Sequence, residues 1–229
     1  MNAVQAGLFA QGLLTLAAWV AALAAPARAR NVLAGAACTA LGVAGAVTGG
    51  LALAGRTGRI AVDWVLPLGA LVVAPDRLGG FFMLLAGGVG ALVSVYAIGY
   101  VKGPAASRTA WVALAAFLAG MQLVPAAADV VALLFAWEVM ALSSTVLVLT
   151  DHARRPEVGS AALWYAVMTH LSLVLILAGL ATLAAATGGT SFEAIAGGVR
   201  PGSAAGNLAF GLLVLGGACK AGLFPLHVW

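Results

Sequence analysis

Along most of this chain apolar residues do not alternate with polar ones at helical spacing. They run continuously, in stretches long enough to cross a bilayer, which takes about 20 residues. Such stretches cover 3–25, 32–54, 78–101, 130–149 and 160–186, with a shorter one at 110–125 and a last one that begins near 207 and is still running at Trp229. A turn holding Pro26, Arg28 and Arg30 joins the first two into a helical hairpin, and Asp129 stands where the N-cap of the fifth helix falls. Residues 56–77 break the pattern. There Ile60, Val62, Trp64 and Leu66 alternate with Ala61, Asp63 and Val65, and Pro67-Leu68-Gly69 precedes Leu71-Val72-Val73, which predicts two short strands around a turn. The expected fold class is an all-α polytopic membrane protein: about six complete transmembrane helices, the first part of a seventh that is discontinuous, and a short β-hairpin-like loop on the outer face. The chain is expected to divide into 1–109, helices one to three with the hairpin, and 110–229, helices four to seven.

Composition agrees. With 63% hydrophobic residues, 8% charged and a mean hydropathy of +1.09, no soluble domain of 229 residues is expected. Thirty glycines suit helices that pack closely through small residues, because lipid gives apolar side chains no preference for one another. The net charge of +4 therefore reports topology and not nucleic-acid binding. Cys38 and Cys219 both lie in apolar spans, so neither a disulfide framework nor a metal-ligand cluster is expected. The first, third and fifth loops hold Arg28, Arg30, Lys102, Arg108, Arg154 and Arg155; the even loops hold Arg56, Arg59, Arg77 and Arg200. The positive-inside rule then puts the odd loops in the cytoplasm and the N-terminus on the outer, periplasmic side of a plasma membrane.

Three titratable groups lie at depth. Glu138 falls about 12 Å inside one end of a helix about 30 Å long, and His170 about 15 Å into its own. An ionised carboxylate at the bilayer centre costs about 2.5–3.5 kcal/mol, so such a residue is read as functional before it is read as a tie between helices. Leu134, Ala141, Leu142 and Thr145 share its helix face, and Trp137 and Met140 are expected to point elsewhere. Lys220 lies among Gly216, Gly217 and Gly222. Pro225 cannot donate to the Ala221 carbonyl, which frees an acceptor beside the lysine. His227 would return to the same face if the helix resumed after Pro225. Lys220 could instead snorkel to the surface from near a helix end, and His170 could be a hydrogen-bonded structural histidine. Burial disfavours the charged form of Glu138 and of Lys220, while bringing them together favours both charges, so a movable contact would switch the lysine's proton.

At these residues the chain resembles the antiporter-like, proton-conducting subunits of respiratory complex I, Mrp-type antiporters and membrane-bound group 4 hydrogenases. The motifs are Phe135-x-Trp137-Glu138-x-Met140 and Lys220-Ala221-x-x-x-Pro225-x-His227-x-Trp229, supported by Asp76-x-Leu78-x-x-Phe81-Phe82, by Tyr96 and Tyr100, and by the hairpin. Arg77 and Gly79 depart from the usual run after Asp76. The resemblance covers the N-terminal portion of a family whose members have about fourteen helices in two inverted repeats of five. It implies that 110–229 is an incomplete first repeat, that the seventh helix is discontinuous, and that Glu138 and Lys220 match the family's fifth-helix glutamate and seventh-helix lysine in a proton half-channel. Among relatives, the Lys220 motif is most similar to the large antiporter-like subunit, component B, of hydrogenase-4 and formate hydrogenlyase.

The function expected is proton translocation by Glu138, Lys220, His170 and His227, with Pro225 as the helix break. The subunit would serve an oxidoreductase complex and carry no redox centre itself. No nucleotide loop, CxxC pair or cofactor box occurs. Its partners would be other membrane subunits, the lipid bilayer and protons or sodium. The alternatives are an Mrp-type sodium/proton antiporter component and a haem- or quinone-binding anchor using His170 and His227. Topology is the first testable point: a cysteine at Gly58, in a background lacking Cys38 and Cys219, should react with an impermeant maleimide in intact cells, and one at Ala153 only after lysis. The opposite pattern would invert the assigned orientation.

Overall fold

The computed structural model describes the chain except residues 63–69, 102–103, 151, 153–154, 156 and 228–229, and the side chains of 104–107. Its elements in order are α1 (Ala3–Ala24), α2 (Ala27–Leu53), β1 (Ile60–Val62), β2 (Leu71–Val73), α3 (Arg77–Tyr100), α4 (Pro104–Ala126), α5 (Val130–Leu149), α6 (Glu157–Thr187), α7 (Phe192–Gly198) and α8 (Ala204–Ala221). Seven of the helices are long and apolar enough to cross a membrane. The protein is an all-α polytopic membrane protein with one two-stranded sheet.

Local chemistry starts each helix where it starts. The Asn2 side chain caps α1 in a reciprocal box with Gln5. Asp76 Oδ1 accepts from Gly79 N–H at the head of α3, and Asp129 Oδ1 accepts from Ala132 N–H at the head of α5. Ser191 and Ser203 cap α7 and α8. Pro26 is the N-cap of α2, so the turn after α1 is two residues long. Arg28 and Arg30, expected in that turn, belong to the first turns of α2, and Arg30 is buried with its Nη2 donating to the Ala25 carbonyl at 3.1 Å.

The strands pair antiparallel with Ile60 opposite Val73 and Val62 opposite Leu71, as expected; Asp63 to Gly69, expected to hold the rest of the first strand and the turn, lie outside the described residues. The strands are stitched to the bundle. Ala74 N–H donates to the Ala126 carbonyl (2.8 Å) and Ala128 N–H to the Val72 carbonyl (2.9 Å), while Val130 N–H donates to Thr190 (3.0 Å). Asp129 Oδ2 accepts from Val72 N–H at 2.6 Å. The N-terminus joins the same end, with Asn2 Nδ2 donating to Thr57 and Gln5 Nε2 to Arg59. Gly58 is buried against Val4, with a Cβ there only 2.7 Å from Val4 Cβ, so the exposed Thr57 is the better position for labelling. Ala153 lies outside the described residues, and the exposed His152 replaces it.

The core is built by backbone approach as much as by side chains. A Cβ at Gly42 would lie 2.5 Å from Ala91 N and 2.7 Å from the Gly87 carbonyl, and one at Gly49 would lie 2.5 Å from Leu84 N. Gly80 and Gly87 face Gly49 and Gly42 in return, so α2 and α3 meet along a seam of glycines seven residues apart. Beside it, Ala18, Ala22, Cys38, Leu41, Trp111 and Leu118 form the core of α1 to α4, and a second core joins Val130 of α5 to Ile176, Leu180 and Ile195.

The seventh membrane helix differs from expectation. It stops at Ala221, with Gly222 in the left-handed region (φ 67°), so it is not still running at Trp229. Gly222 N–H and Leu223 N–H both donate to the Ala218 carbonyl, closing the end with a glycine turn.

The glycine seam yields a prediction. Gly42→Leu should prevent close approach of α2 and α3, lowering stability by about 1–3 kcal/mol or abolishing a monodisperse peak in detergent. Gly88→Ala, at a site with nothing within 4 Å, should leave both unchanged. Equal behaviour of the two variants would show that the seam does not hold the bundle.

Candidate functional site

The site forms where α5, α6 and α8 meet. Ser172 Oγ on α6 donates to the Gly216 carbonyl on α8 (2.7 Å), and a Cβ at Gly216 would touch Ile176, while Gly179 faces Leu213 and Ala209. Helix α8 thus runs antiparallel to α6, and its end at Ala221 comes level with about residue 168, near the middle of the 31-residue α6. At ~1.5 Å per residue α6 is about 46 Å long, so α8 ends well short of either end of α6.

Lys220 occupies the last turn of α8, where a helix's partial negative end favours a cation. Its Nζ lies 6.0 Å from the centre of the Trp137 ring and 5.5 Å from that of Tyr165. Among the described residues Nζ has no hydrogen-bond partner and forms no ion pair, although the Glu138 carboxylate acts on it through space. The direct Glu138–Lys220 contact considered from sequence is not made. Instead Glu138 Oε1 lies 3.2 Å from His170 Nε2, and Glu138 Oε2 is enclosed without a hydrogen-bond partner.

The histidine's tautomer follows from its second contact. Nδ1 lies 2.8 Å from the Ala166 carbonyl, which can only accept, so Nδ1 carries a proton. Nε2 then faces Glu138 Oε1 across 3.2 Å. His170 is 46% exposed and Glu138 30%, so the pair opens on the outside of the described bundle on the α6 side, while Oε2 points into it.

Two expectations need correction. Trp137 does not point away from the site: its ring faces Lys220, because Leu134, Trp137 and Glu138, at i, i+3 and i+4 of α5, turn toward α6 and α8. His227 is exposed and packs its ring on Phe224 at 5.4 Å between centroids, away from Lys220, because Gly222 has already ended the helix. For the same reason Pro225 lies in the turn beyond the helix, and among the described residues no hydrogen bond reaches the Ala221 carbonyl, one of the helix's last acceptors. Sequence reasoning passed over Tyr165, whose hydroxyl donates to Ser144 Oγ at 2.8 Å and whose ring walls Lys220. The polar run Ser143-Ser144-Thr145 at mid-span was the available signal, but a tyrosine partner for it could not be chosen without the helix pairing.

Comparison with known proteins finds antiporter-like membrane subunits among those this chain is similar to. Residues 127–229, which hold α5 to α8, match the family described as NADH:quinone oxidoreductase/Mrp antiporter, TM. An uncharacterized protein of Mycobacterium tuberculosis is 47% identical over 192 residues, covering 82% of this chain and 29% of that protein. NADH-quinone oxidoreductase subunit L of the same organism is 33% identical over 155 residues, 67% of this chain and 24% of that one. The structure of the Mrp complex from Dietzia sp. DQ12-45-1b contains a chain that superposes with a TM-score of 0.77 at 23% identity, over 96% of this chain and 24% of that one; at this identity the likeness concerns the fold. The chain spans less than a third of the length of these relatives.

The Glu138–His170 contact can be measured. A double-mutant cycle of Glu138→Gln and His170→Gln should give a coupling of about 0.6–2 kcal/mol in detergent unfolding. Glu138→Gln combined with His152→Gln, in the loop beyond α5, should be additive. Additivity in the first cycle would show that the pair does not interact.

Proposed function

We propose that this chain is part of a proton-translocating membrane subunit of a complex I-like or group 4 hydrogenase complex, with Glu138, His170 and Lys220 as a proton relay. The observation that carries it is Lys220 Nζ, enclosed without a hydrogen-bond partner among the described residues, beside a Glu138 whose one oxygen meets His170 and whose other has no partner among them. Snorkelling does not fit this arrangement, because the end of α8 lies level with the middle of α6 and not at a membrane surface. A lysine held between two aromatic rings is less well solvated than one in water, so whether it keeps its proton depends on the charge of Glu138. That charge in turn depends on whether a proton resides on it or on His170. A proton passed from His170 to Glu138 removes the carboxylate that favours the ammonium, so Lys220 holds its own proton less tightly. His227 and Pro225 have no contact in this relay; we assign them to the turn beyond the half-helix.

The finer assignments rest on the motifs. Residues 110–229 belong to a first repeat, the Lys220-to-Trp229 motif favours the large subunit of hydrogenase-4, and the basic loops favour a plasma membrane with the hairpin end outside. The relatives' names and the Mrp structure support other membrane subunits as partners and carry no haem anchor reading.

The test uses the complete protein in its complex. Glu138→Gln keeps the side-chain volume and cannot ionise; Lys220→Arg keeps the charge and cannot release a proton near neutral pH. Both should assemble normally and lower proton pumping on the order of tenfold, the factor made by ~1.4 kcal/mol in a barrier. Wild-type pumping by Lys220→Arg, with loss in Lys220→Ala, would reduce the lysine to a fixed charge. Sodium-dependent pumping in the wild type would replace the transported ion.

A further inference from the structure

A polar hollow of about 570 Å³ opens at the hairpin end of the bundle, lined by Arg59 just before β1, Asp76 at the head of α3 and Ser191 and Glu193 at the head of α7. A second hollow of about 580 Å³ runs between α3, α4 and α5 and is almost wholly apolar, with Leu85, Val89, Phe117 and Met121 in its walls. Phe82 and Pro125 line both, so the two hollows adjoin at the head of α3 and together present a charged mouth beside an apolar groove, or stem. We propose that this groove holds one zwitterionic phospholipid with a primary ammonium headgroup, of the phosphatidylethanolamine type.

The stem has the length of one acyl chain in one leaflet. On α3 it extends from Phe82 to Val93, eleven residues or about 16 Å, against about 15 Å for half the hydrocarbon core. Leu85 and Val89 leave roughly half of their surface uncovered along it, so a chain can enter sideways from the bilayer. The mouth selects the headgroup. Arg59 is exposed and its guanidinium is in no ion pair among the described residues, which leaves its paired donors for a phosphate. Two carboxylates flank it: Asp76, one oxygen of which caps α3, and Glu193, which is exposed. One cation and two anions complement a headgroup that carries both a phosphate and an ammonium; a headgroup with only negative charge would face a net repulsion.

The experiment uses the complete protein, extracted in mild detergent and given equal amounts of phosphatidylethanolamine and phosphatidylglycerol with matched chains, followed by native mass spectrometry. One phosphatidylethanolamine should remain bound, preferred about tenfold, the factor a single charge-assisted contact makes. Glu193→Gln should bring the preference close to one, and Arg59→Gln should lower retention of both lipids. Ala86→Phe, which fills the stem, should lose the lipid while both headgroup variants and this one keep the wild-type unfolding temperature after delipidation. A photo-reactive residue at Val89 should capture lipid in membranes. No preference between the lipids, retention unchanged by Glu193→Gln and Ala86→Phe, or capture of a polypeptide at Val89 would each overturn the proposal.

Discussion

A helix that ends inside hydrocarbon leaves carbonyl groups that no bulk water can reach, and the rest of this site is organised around that constraint. Gly222 can take a positive φ without cost from a side chain, so the chain turns back and two N–H groups close on the Ala218 carbonyl. The negative end of the helix dipole is met by Lys220 in the same turn. Depth is set from the side: the Ser172 hydroxyl on the Gly216 carbonyl and the absence of a side chain at Gly216 dock α8 against α6 at one register. The lysine therefore sits level with the middle of α6 because the helix stops there, and the two rings that wall it come from α5 and α6.

The Glu138 side of the site is positioned from the opposite end. Asp129 is 2% exposed and uses one oxygen on Ala132 N–H and the other on Val72 N–H, so it joins the head of α5 to the sheet. Glu138 follows nine residues later on an uninterrupted helix, about 13 Å further into the membrane. The small sheet and the segment around Ser191 thus act as a plate that fixes where α5 begins. A buried carboxylate spends two charge-assisted hydrogen bonds here on geometry, which in a membrane protein places a second carboxylate at a given depth.

Much of this was legible in the chain. Six helices and the strand pairing could be read because unbroken apolar runs have one physical reading in a bilayer and alternation around Pro67 and Gly69 has another. Asp129 could be read as a cap because the aspartate directly precedes the apolar run. The end of α8 was misjudged because Gly222 is one of thirty glycines, and only the docking against α6 shows that its turn is used. Helical spacing sent Trp137 away from Glu138, but α5 is contacted on several sides, by α4 and α6 among others, and a wide arc of it faces protein.

By itself the sequence determined the membrane class, the number of spans, and that Glu138, His170 and Lys220 are the ionisable groups at depth, because the cost of polar groups in hydrocarbon depends on residue type and position along the chain. Only the tertiary structure decided which of them touch. His170 and not Lys220 meets Glu138, Lys220 is enclosed by Trp137 and Tyr165, and His227 falls outside. Those pairings depend on the relative register of three helices, and register is set by contacts such as Ser172 to Gly216 between residues 44 apart, which leave no periodic trace in the chain.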